Sequence, residues 1–401
     1  MIADDAAVVY AEWESTIEEI TSSARHHAVR ILVLGATDVG KTTFARLLVN
    51  RLVALGQRVG IVDADLGQSE IGPPACIGLA FAEAPIQSLS ELTPHALAFV
   101  GGTSPPNFLL EHAGGVRRLA DMVTRDSLVI DTSGYLHGPS ARRLNHVEFD
   151  LIQPTHVVGL QRDVELESIL APMRRRDSCN VHTPKVPAVI CKKPTVYRTQ
   201  RRALRFAAYF AGSNQHSYSF SEVAIVGSWF NGGPPVAAHL LRFLNQSLGN
   251  GVRVFYAEMS GRHLGLMVNQ PVPTDSPGIG IALQQLRAQS VSITAAPRLK
   301  HLLLGLEGGN GKLLGLGLLE AIDFRRTNSG TRSRRGTRPP FRQHPYRAGW
   351  LGSWFAATKR NITRGVKLAY TAKKVVESAC VDPLPSSAEV LVGFTAPAAS
   401  A

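Results

Sequence analysis

A glycine-rich stretch near the N-terminus constrains the fold of this chain more than any other feature. Residues 35 to 42 read GATDVGKT and fit the pattern G-x-x-x-x-G-K-[ST] in full. An apolar run at 31–34 precedes the first glycine. Apolar residues at helical spacing follow the Lys-Thr pair, namely Phe44, Leu47, Leu48, Leu52 and Leu55. A strand, a glycine-rich loop and a helix in this order are typical of a P-loop, the phosphate-binding turn of nucleotide-binding α/β proteins.

The residue types in this stretch suit a nucleoside triphosphate, ATP or GTP. Gly35 and Gly40 let the backbone curl so that successive N–H groups point at phosphate oxygens, and the next helix adds its positive dipole end. Lys41 is expected to reach the β- and γ-phosphates, and the Thr42 hydroxyl to hold Mg²⁺. The alternative is a glycine-rich turn that binds no ligand. Such a turn leaves the Lys-Thr pair at the start of the helix without a role in packing. The predicted nucleotide-binding residues are Gly35, Ala36, Thr37, Asp38, Val39, Gly40, Lys41, Thr42 and Thr43.

The positive charge of the chain lies in its C-terminal part. The net charge is +12, but residues 325 to 376 contain fourteen Lys and Arg and no Asp or Glu. The other residues hold 29 basic and 31 acidic side chains, so overall basicity is no argument for a nucleic-acid substrate. We expect this basic tail, residues 324 to 401, to be disordered.

The sequence gives no sign of export or membrane insertion. No apolar run approaches the roughly 18–20 residues that a membrane span needs. Acidic residues precede the first apolar segment, unlike a secretion signal, and the four cysteines form no C-x-x-C pair. These features predict a cytoplasmic protein with reduced thiols and no membrane partner.

Strand-like and helix-like segments alternate from residue 28 to residue 212. This alternation predicts an α/β fold of the P-loop NTPase class, with a doubly wound, mainly parallel sheet. An amphipathic helix and a linker, residues 1 to 27, precede this domain. Short β-like runs separated by Gly, Pro and Asn predict a smaller, mainly β domain from 213 to 323.

Carboxylates follow two of the predicted strands. Asp63 and Asp65 come at the end of the strand 59–63, where alternation places both on one side, facing the γ-phosphate and its Mg²⁺. One carboxylate can organise the metal, while the other accepts the proton of an attacking hydroxyl, a role worth about 10²–10⁴-fold in rate. A solvated strand-end turn is the alternative. Asp131 ends another strand as a Walker-B carboxylate does, so it competes for the metal-organising role and the choice stays open.

Two further segments carry candidate contacts. Tyr135 follows a glycine at a strand tip, where its ring can stack on a nucleobase for about 1–3 kcal/mol. Packing of the ring against the sheet edge is the alternative. A predicted helix at about 194–212 carries Arg198, Arg201, Arg202 and Arg205. An arginine that closes over the nucleotide contributes about 10³–10⁵-fold to phosphoryl transfer. A solvated basic face is the competing and commoner meaning of such a pattern.

Taken together, these motifs resemble the polynucleotide 5'-hydroxyl kinase family. That family includes the RNA kinase of the eukaryotic pre-mRNA cleavage complex, the ribosomal-RNA-processing kinases, and archaeal and bacterial relatives. The similarity covers the P-loop and the segments 63–68 (DADLGQ), 103–105 (TSP), 131–135 (DTSGY) and 201–210 (RRALRFAAYF), and extends more loosely to residue 323. The resemblance implies transfer of the γ-phosphate of ATP or GTP to the 5'-hydroxyl of RNA or DNA, in RNA processing or repair.

The resemblance also implies roles for single residues. The catalytic set would be Lys41, Asp65, Arg202 and Arg205, with Asp65 as the base that activates the 5'-hydroxyl, while Arg198 and Arg201 stay possible lid arginines. The Mg²⁺ ligands would be Thr42 and Asp63. The substrate contacts would be Gln68, Thr132, Ser133, Gly134 and Tyr135, with Tyr135 where relatives often have Trp.

The competing hypothesis is a P-loop switch or scaffold that binds nucleotide without phosphotransfer. The chain lacks an Asn-Lys-x-Asp motif and a Leu-Ser-Gly-Gly-Gln motif, which argues against GTPase switches and transporter ATPases. A small-molecule kinase is a third hypothesis, against which Tyr135 argues. After residue 326 the chain departs from the family, whose members continue as ordered β structure.

Overall fold

A computed structural model describes residues 2–218, 223–230, 232–322, 365–368 and 391–395. The chain forms two compact units, Met1–Tyr209 and Phe210–Ala401. The division falls three residues before the predicted domain boundary between 212 and 213. Within the described part of the chain, no helix has both the length and the apolar character that crossing a bilayer requires.

The first unit alternates strands and helices as the sequence predicts. Its helices are α1 (Ile2–Ala24), α2 (Lys41–Ala54), α3 (Leu109–Ala120), α4 (Pro139–Ile152), α5 (Glu167–Met173) and α6 (Thr195–Phe210). Its strands are β1 (Arg30–Gly35), β2 (Val59–Asp63), β3 (Cys76–Ala82), β4 (Ala96–Phe99), β5 (Ser127–Asp131), β6 (His156–Leu160) and β7 (Asn180–His182).

These seven strands form one sheet in the order β4-β3-β2-β5-β1-β6-β7. The strands from β2 to β7 in this order run parallel, whereas β3 is antiparallel to both β2 and β4. The predicted doubly wound, mainly parallel sheet is therefore confirmed. Two of these strands are not predicted from the sequence, namely β3, which adds the antiparallel edge, and the short edge strand β7.

Helices cover both faces of this sheet, which gives two apolar cores. On one face, Trp13 of α1 and Phe44 of α2 pack with β-strand residues such as Ile61, and all three are fully buried. On the other face, α3, α4 and α5 cover residues such as Leu32 and Val62. Burial of each large apolar side chain stabilises the fold by about 1.5–3 kcal/mol. In folds of this kind, ligand-binding loops lie at the carboxyl ends of the parallel strands.

The described residues of the second unit form two sheets. Its helices are α7 (Ala238–Leu248) and α8 (Pro277–Gln285). Its strands are β8 (Asn214–Ser217), β9 (Ile225–Val226), β10 (Val254–Ser260), β11 (His263–Val268), β12 (Ser290–Ala295), β13 (Leu302–Glu307), β14 (Leu313–Leu319), β15 (Gly365–Leu368) and β16 (Leu391–Thr395). The first sheet has the order β10-β11-β12 and the second the order β8-β16-β14-β13-β15-β9. The helices α7 and α8 pack on the three-stranded sheet, so this unit is less purely β than the sequence predicts.

Two strands lie inside the basic tail for which the sequence predicts disorder. The strand β15 pairs with β13 and β9, and β16 pairs with β14 and β8. The expectation of disorder is therefore wrong for these nine residues. The two runs, GVKL and LVGFT, are too short to predict a strand alone, and their partners are distant in sequence. The remainder of the predicted tail, from residue 324, lies outside the described residues.

Candidate functional site

The glycine-rich loop forms the turn that its sequence predicts. The strand β1 ends at Gly35, and α2 begins at Lys41 directly after Gly40. Gly40 has a φ of 92°, a backbone conformation that favours glycine, and a Cβ atom there would lie 2.7 Å from the side chain of Ile190. The start of α2 is thus fixed with its free N–H groups facing the loop, as phosphate binding requires.

Two charged side chains of the loop have defined partners. Lys41 is only 6% exposed, and its ammonium group donates a hydrogen bond to the carbonyl oxygen of Ala36 at 2.9 Å. The Asp38 carboxylate accepts a hydrogen bond from the Arg198 guanidinium at 2.7 Å and one from the backbone N–H of Lys193 at 3.1 Å. Lys41 therefore stays inside the loop, while Asp38 connects the loop to the first turn of α6.

Asp131 lies beside the loop with one oxygen unused. The Thr42 hydroxyl donates a hydrogen bond to Asp131 Oδ2 at 2.5 Å. Asp131 Oδ1 is buried and has no hydrogen-bond partner among the described residues. Burial raises the pKa of Asp131, and the nearby Lys41 charge opposes this rise. A buried carboxylate oxygen without a donor, next to a hydroxyl at the start of the P-loop helix, is an arrangement suited to a hard cation.

Asp63 is the register partner of Asp131 on the neighbouring strand, but its oxygens are occupied. Its Oδ1 accepts the backbone N–H of Asp65 at 3.1 Å, and its Oδ2 accepts the backbone N–H groups of Glu70 and Ile71. Burial and the Asp131 charge raise the pKa of Asp63. The contacts of Asp63 thus shape the turn that follows β2.

Asp65 stands in this turn and is half-buried. Its Oδ1 accepts the backbone N–H groups of Gly67 and Gln68, both at 2.9 Å. Its Oδ2 forms no hydrogen bond to any described residue, so one oxygen of this carboxylate is available. The Gln68 side chain donates instead to the carbonyl oxygens of Gly67 and Arg198.

The segment after β5 lies against the glycine-rich loop. The Thr132 hydroxyl donates to the carbonyl oxygen of Val33 at 2.8 Å. A Cβ atom on Gly134 would lie 2.8 Å from the backbone nitrogen of Thr37, so only glycine allows this close approach. The carbonyl oxygen of Tyr135 accepts a hydrogen bond from the Asn145 side chain at 3.1 Å. Ser133 is buried, whereas the Tyr135 ring is half-exposed and forms no ring contact or hydrogen bond with the described residues.

Three arginines of α6 are held by the loop region. Arg198 binds Asp38, and Arg201 forms an ion pair with Glu70. Arg205 donates to the carbonyl oxygens of Glu70 at 3.1 Å and Gly72 at 2.9 Å. The contacts of Arg201 and Arg205 hold α6 against the turn after β2.

Arg202, on the same helix, differs from these three. It has no hydrogen bond or ion pair with any described residue. Its Nη1 lies 3.4 Å from the position that a Cβ atom on Gly67 would take. Burial lowers the pKa of Arg202, and the charge of Asp65 opposes this effect. An unpaired guanidinium therefore lies next to the carboxylate that has a free oxygen.

Sequence reasoning missed a buried pair behind this site. His112 and Glu148 are 0% and 2% exposed and lie 2.6 Å apart, and His112 Nε2 lies 3.0 Å from the carbonyl oxygen of Ala64. One signal was available in the sequence. Glu148 falls at the helical spacing of Leu144 and Ile152, so a carboxylate occupies the apolar face of a predicted helix.

The chain is similar to several known proteins. Residues 35–212 match the family described as the P-loop of the mRNA cleavage and polyadenylation factor CLP1. A polyribonucleotide 5'-hydroxyl-kinase of Methanocaldococcus jannaschii is 31% identical over 301 residues, which is 74% of this chain and 79% of that protein. One of Pyrococcus horikoshii is 31% identical over 300 residues, 73% of this chain and 78% of that protein. A CLP1 homolog of Culex quinquefasciatus is 28% identical over 245 residues, 55% of this chain and 57% of that protein.

Proposed function

We propose, since the chain belongs to the polynucleotide 5'-hydroxyl kinase family, that it transfers the γ-phosphate of ATP or GTP to the 5'-hydroxyl of RNA in an RNA-processing reaction. The observation that carries this proposal is the placement of Asp65 and Arg202 together beside Gly67, where Asp65 Oδ1 and Arg202 Nη1 lie 3.6 Å and 3.4 Å from the position that a Cβ atom on Gly67 would take. One has an open carboxylate oxygen and the other an unpaired guanidinium, which are the two groups that phosphoryl transfer to a hydroxyl needs.

In the proposed reaction the 5'-oxygen of the polynucleotide attacks the γ-phosphorus. The bond between the 5'-oxygen and phosphorus forms as the bond from phosphorus to the β–γ bridging oxygen breaks, and the nucleoside diphosphate leaves. Asp65 Oδ2 takes the proton of the 5'-hydroxyl, since Oδ1 is already bonded to Gly67 and Gln68.

Two cationic side chains offset the negative charge of the reacting phosphates. Lys41 is placed inside the glycine-rich loop, from which its ammonium group can turn to the β- and γ-phosphates. Arg202 can reach the transferring phosphoryl group without breaking a hydrogen bond. Arg205 was predicted for the same role, but its bonds to Glu70 and Gly72 favour a structural role in holding the turn.

Mg²⁺ fits Thr42 and Asp131 better than the predicted pair of Thr42 and Asp63. Both oxygens of Asp63 accept backbone N–H groups, whereas Asp131 Oδ1 has no donor in the described part of the chain. Mg²⁺ in such sites takes one or two protein oxygens and completes its shell with water and phosphate oxygens. When bound, the ion would neutralise charge on the phosphates of the nucleotide.

The segment Thr132 to Tyr135 is proposed to hold the first nucleotide of the acceptor. It lies against Thr37 of the glycine-rich loop, and the half-exposed Tyr135 ring forms no ring contact with the described residues, so it is proposed to stack on a base. Gln68, which was predicted to contact the acceptor, has its side-chain amide bonded to the backbone of Gly67 and Arg198. We therefore propose Tyr135, and not Gln68, as the main acceptor contact.

The test is transfer of labelled γ-phosphate to oligonucleotides that carry a 5'-hydroxyl, with the same oligonucleotides carrying a 5'-phosphate as controls. We expect Lys41→Ala to abolish transfer. Asp65→Asn should lower kcat by about 10²–10⁴-fold and leave ATP binding unchanged, because it removes only the proton acceptor. Hydrolysis of ATP by the wild type without transfer to any oligonucleotide would instead support the switch or scaffold hypothesis.

A further inference from the structure

Three buried polar side chains lie on α3 and α4 behind the proposed site. They are His112 on α3 and Asn145 and Glu148 on α4, and they are 0%, 3% and 2% exposed. None of them is assigned a contact with the nucleotide or the acceptor in the proposed function. Burial of such groups is costly unless each has a partner, so their partners indicate what they do.

His112 joins α4 to the turn that carries the proposed base. Its Nδ1 faces a Glu148 carboxylate oxygen at 2.6 Å, and its Nε2 faces the carbonyl oxygen of Ala64 at 3.0 Å. The Ala64 carbonyl oxygen can only accept, so Nε2 donates to it, while Nδ1 bonds to the Glu148 carboxyl group. Burial alone would lower the pKa of His112, but the Glu148 charge raises it above its ordinary value.

Ala64 is the residue between Asp63 and Asp65. Its N–H donates to the carbonyl oxygen of Asp131 at 2.8 Å, and its own carbonyl oxygen accepts from His112. Both backbone groups of Ala64 are thus held, one by the neighbouring strand β5 and one by α3. The backbone from which Asp65 projects is fixed by these two bonds.

The same helix also holds the segment after β5. Asn145 lies three residues before Glu148 on α4, and its amide donates to the carbonyl oxygens of Tyr135 at 3.1 Å and Ala141 at 2.8 Å. One helix is therefore bonded to the proposed acceptor contact directly and to the proposed base turn through His112.

We propose that His112, Glu148 and Asn145 are positioning residues, through which α4 sets the distance between Asp65 and the 5'-hydroxyl of the acceptor held at Tyr135. This inference rests on the proposed function. It assigns to the three residues an effect on kcat that acts through Asp65, without an effect on nucleotide binding. A displacement of about 1 Å at a reacting group can cost about 10²-fold in rate, so bonds behind the site can control its activity.

Replacing His112 by Gln or by Asn distinguishes an effect on the position of Asp65 from an effect on protein stability. His112→Gln places its amide near the position of Nε2 and keeps a donor for Ala64, whereas His112→Asn places it near Nδ1 and loses that donor. We expect His112→Asn to lower kcat for transfer by about 10- to 100-fold per folded molecule, with an unchanged Kd for ATP. His112→Gln should retain most of the wild-type kcat, although both variants unfold at a lower temperature.

A matched control lies in the second unit. The Tyr256 hydroxyl donates to the buried Glu258 at 2.7 Å, so Tyr256→Phe also removes a donor from a buried glutamate. It should lower the unfolding temperature and leave kcat unchanged. Losses of kcat in both His112 variants that match their losses of stability would overturn the inference.

The double variant His112→Asn/Asp65→Asn tests whether His112 acts through Asp65. If it does, His112→Asn costs less than about 3-fold in kcat once Asp65 has lost its proton acceptor. If the fold-losses in kcat of the two single variants multiply in the double variant, His112 does not act through Asp65 and the inference is overturned. Transfer by the wild type with normal kcat in His112→Asn would overturn the inference alone. No transfer by the wild type would overturn both the inference and the proposed function.

Discussion

The carboxyl ends of β2 and β5 carry the same residue in the same place but with different contacts. Asp63 and Asp131 are register partners on neighbouring parallel strands, and each is 1% exposed. Asp63 accepts backbone N–H groups from its own turn at both oxygens. Asp131 accepts only the Thr42 hydroxyl and keeps its second oxygen unpartnered among the described residues. Burial and residue type do not distinguish the two; their hydrogen bonds do.

The groups near the two strand ends also differ in how many hydrogen bonds they form. The turn after β2 receives the bonds of Arg201 and Arg205 and the internal bond of Gln68. At the end of β5, the Tyr135 ring forms no ring contact or hydrogen bond in the described part of the chain. Arg202, which lies beside Gly67 in the turn after β2, has no hydrogen bond or ion pair there either. A group whose hydrogen bonds are already formed must lose them to bind a ligand, at about 1–3 kcal/mol each. We therefore expect the unpartnered groups to act on the ligand and the bonded groups to hold the site together.

The two central arginines of α6 provide the sharpest test of this comparison. We expect Arg202→Ala to lower kcat for phosphate transfer by about 10³–10⁵-fold, since it removes the one α6 arginine that forms no hydrogen bond or ion pair among the described residues. Arg205→Ala should lower the stability of the turn and cost less than about 10-fold in kcat, because its bonds go to backbone carbonyls. Single-turnover transfer at saturating ATP and oligonucleotide measures both values.

Arg202→Lys is the control for charge alone. It keeps the positive charge but loses the planar fork, so we expect only partial recovery of kcat. Equal losses in Arg202→Ala and Arg205→Ala would show that the bonded arginine also leaves its partners during the reaction, and the comparison would fail for α6.

The two aspartates should separate in their dependence on Mg²⁺. We expect Asp131→Asn to lower kcat by about 10²–10³-fold at ordinary Mg²⁺ and to raise the Mg²⁺ concentration for half-maximal rate. Asp63→Asn should leave that concentration unchanged and lower the free energy of unfolding by about 1–3 kcal/mol. Its amide offers one acceptor oxygen to three backbone N–H donors, those of Asp65, Glu70 and Ile71.

Titration of the transfer rate with Mg²⁺ and chemical denaturation of each variant give the two readouts. A shifted Mg²⁺ requirement in Asp63→Asn, with none in Asp131→Asn, would reverse the assignment and restore the prediction made from the sequence.

Sequence patterns predicted what depends on local rules. The glycine-rich loop, the alternation of strands and helices and the placement of Asp63, Asp65 and Asp131 at strand ends all follow from short-range periodicity and motif spacing. The resemblance then supplied the family, and the comparisons confirm it.

What the patterns could not predict depends on contacts between distant residues. The choice between Asp63 and Asp131 is decided by how the chain returns at Glu70 and Ile71, and no motif describes this turn. Arg202 and Arg205 share one face of a helix in the sequence pattern, yet only the folded loop determines which of them is bonded. The strands β15 and β16 likewise exist through partners far away in the chain.

Tyr135 and Gln68 extend the comparison to the acceptor, with the smallest expected effect. Tyr135→Ala should weaken oligonucleotide binding by about 1–3 kcal/mol, or roughly 5- to 150-fold in Kd, because it removes a stacking face. Gln68→Ala should change oligonucleotide Kd by less than about 3-fold, because its amide is bonded to Gly67 and Arg198. Binding of ATP should be unchanged in both variants.

Fluorescence anisotropy with a labelled 5'-hydroxyl oligonucleotide measures the oligonucleotide Kd. The control variant Tyr135→Phe, which keeps the ring, should bind the oligonucleotide like the wild type. Equal losses of ATP and oligonucleotide affinity in Tyr135→Ala would remove the stacking role. A larger loss in Gln68→Ala than in Tyr135→Ala would place the acceptor at the end of β2 and not at the end of β5.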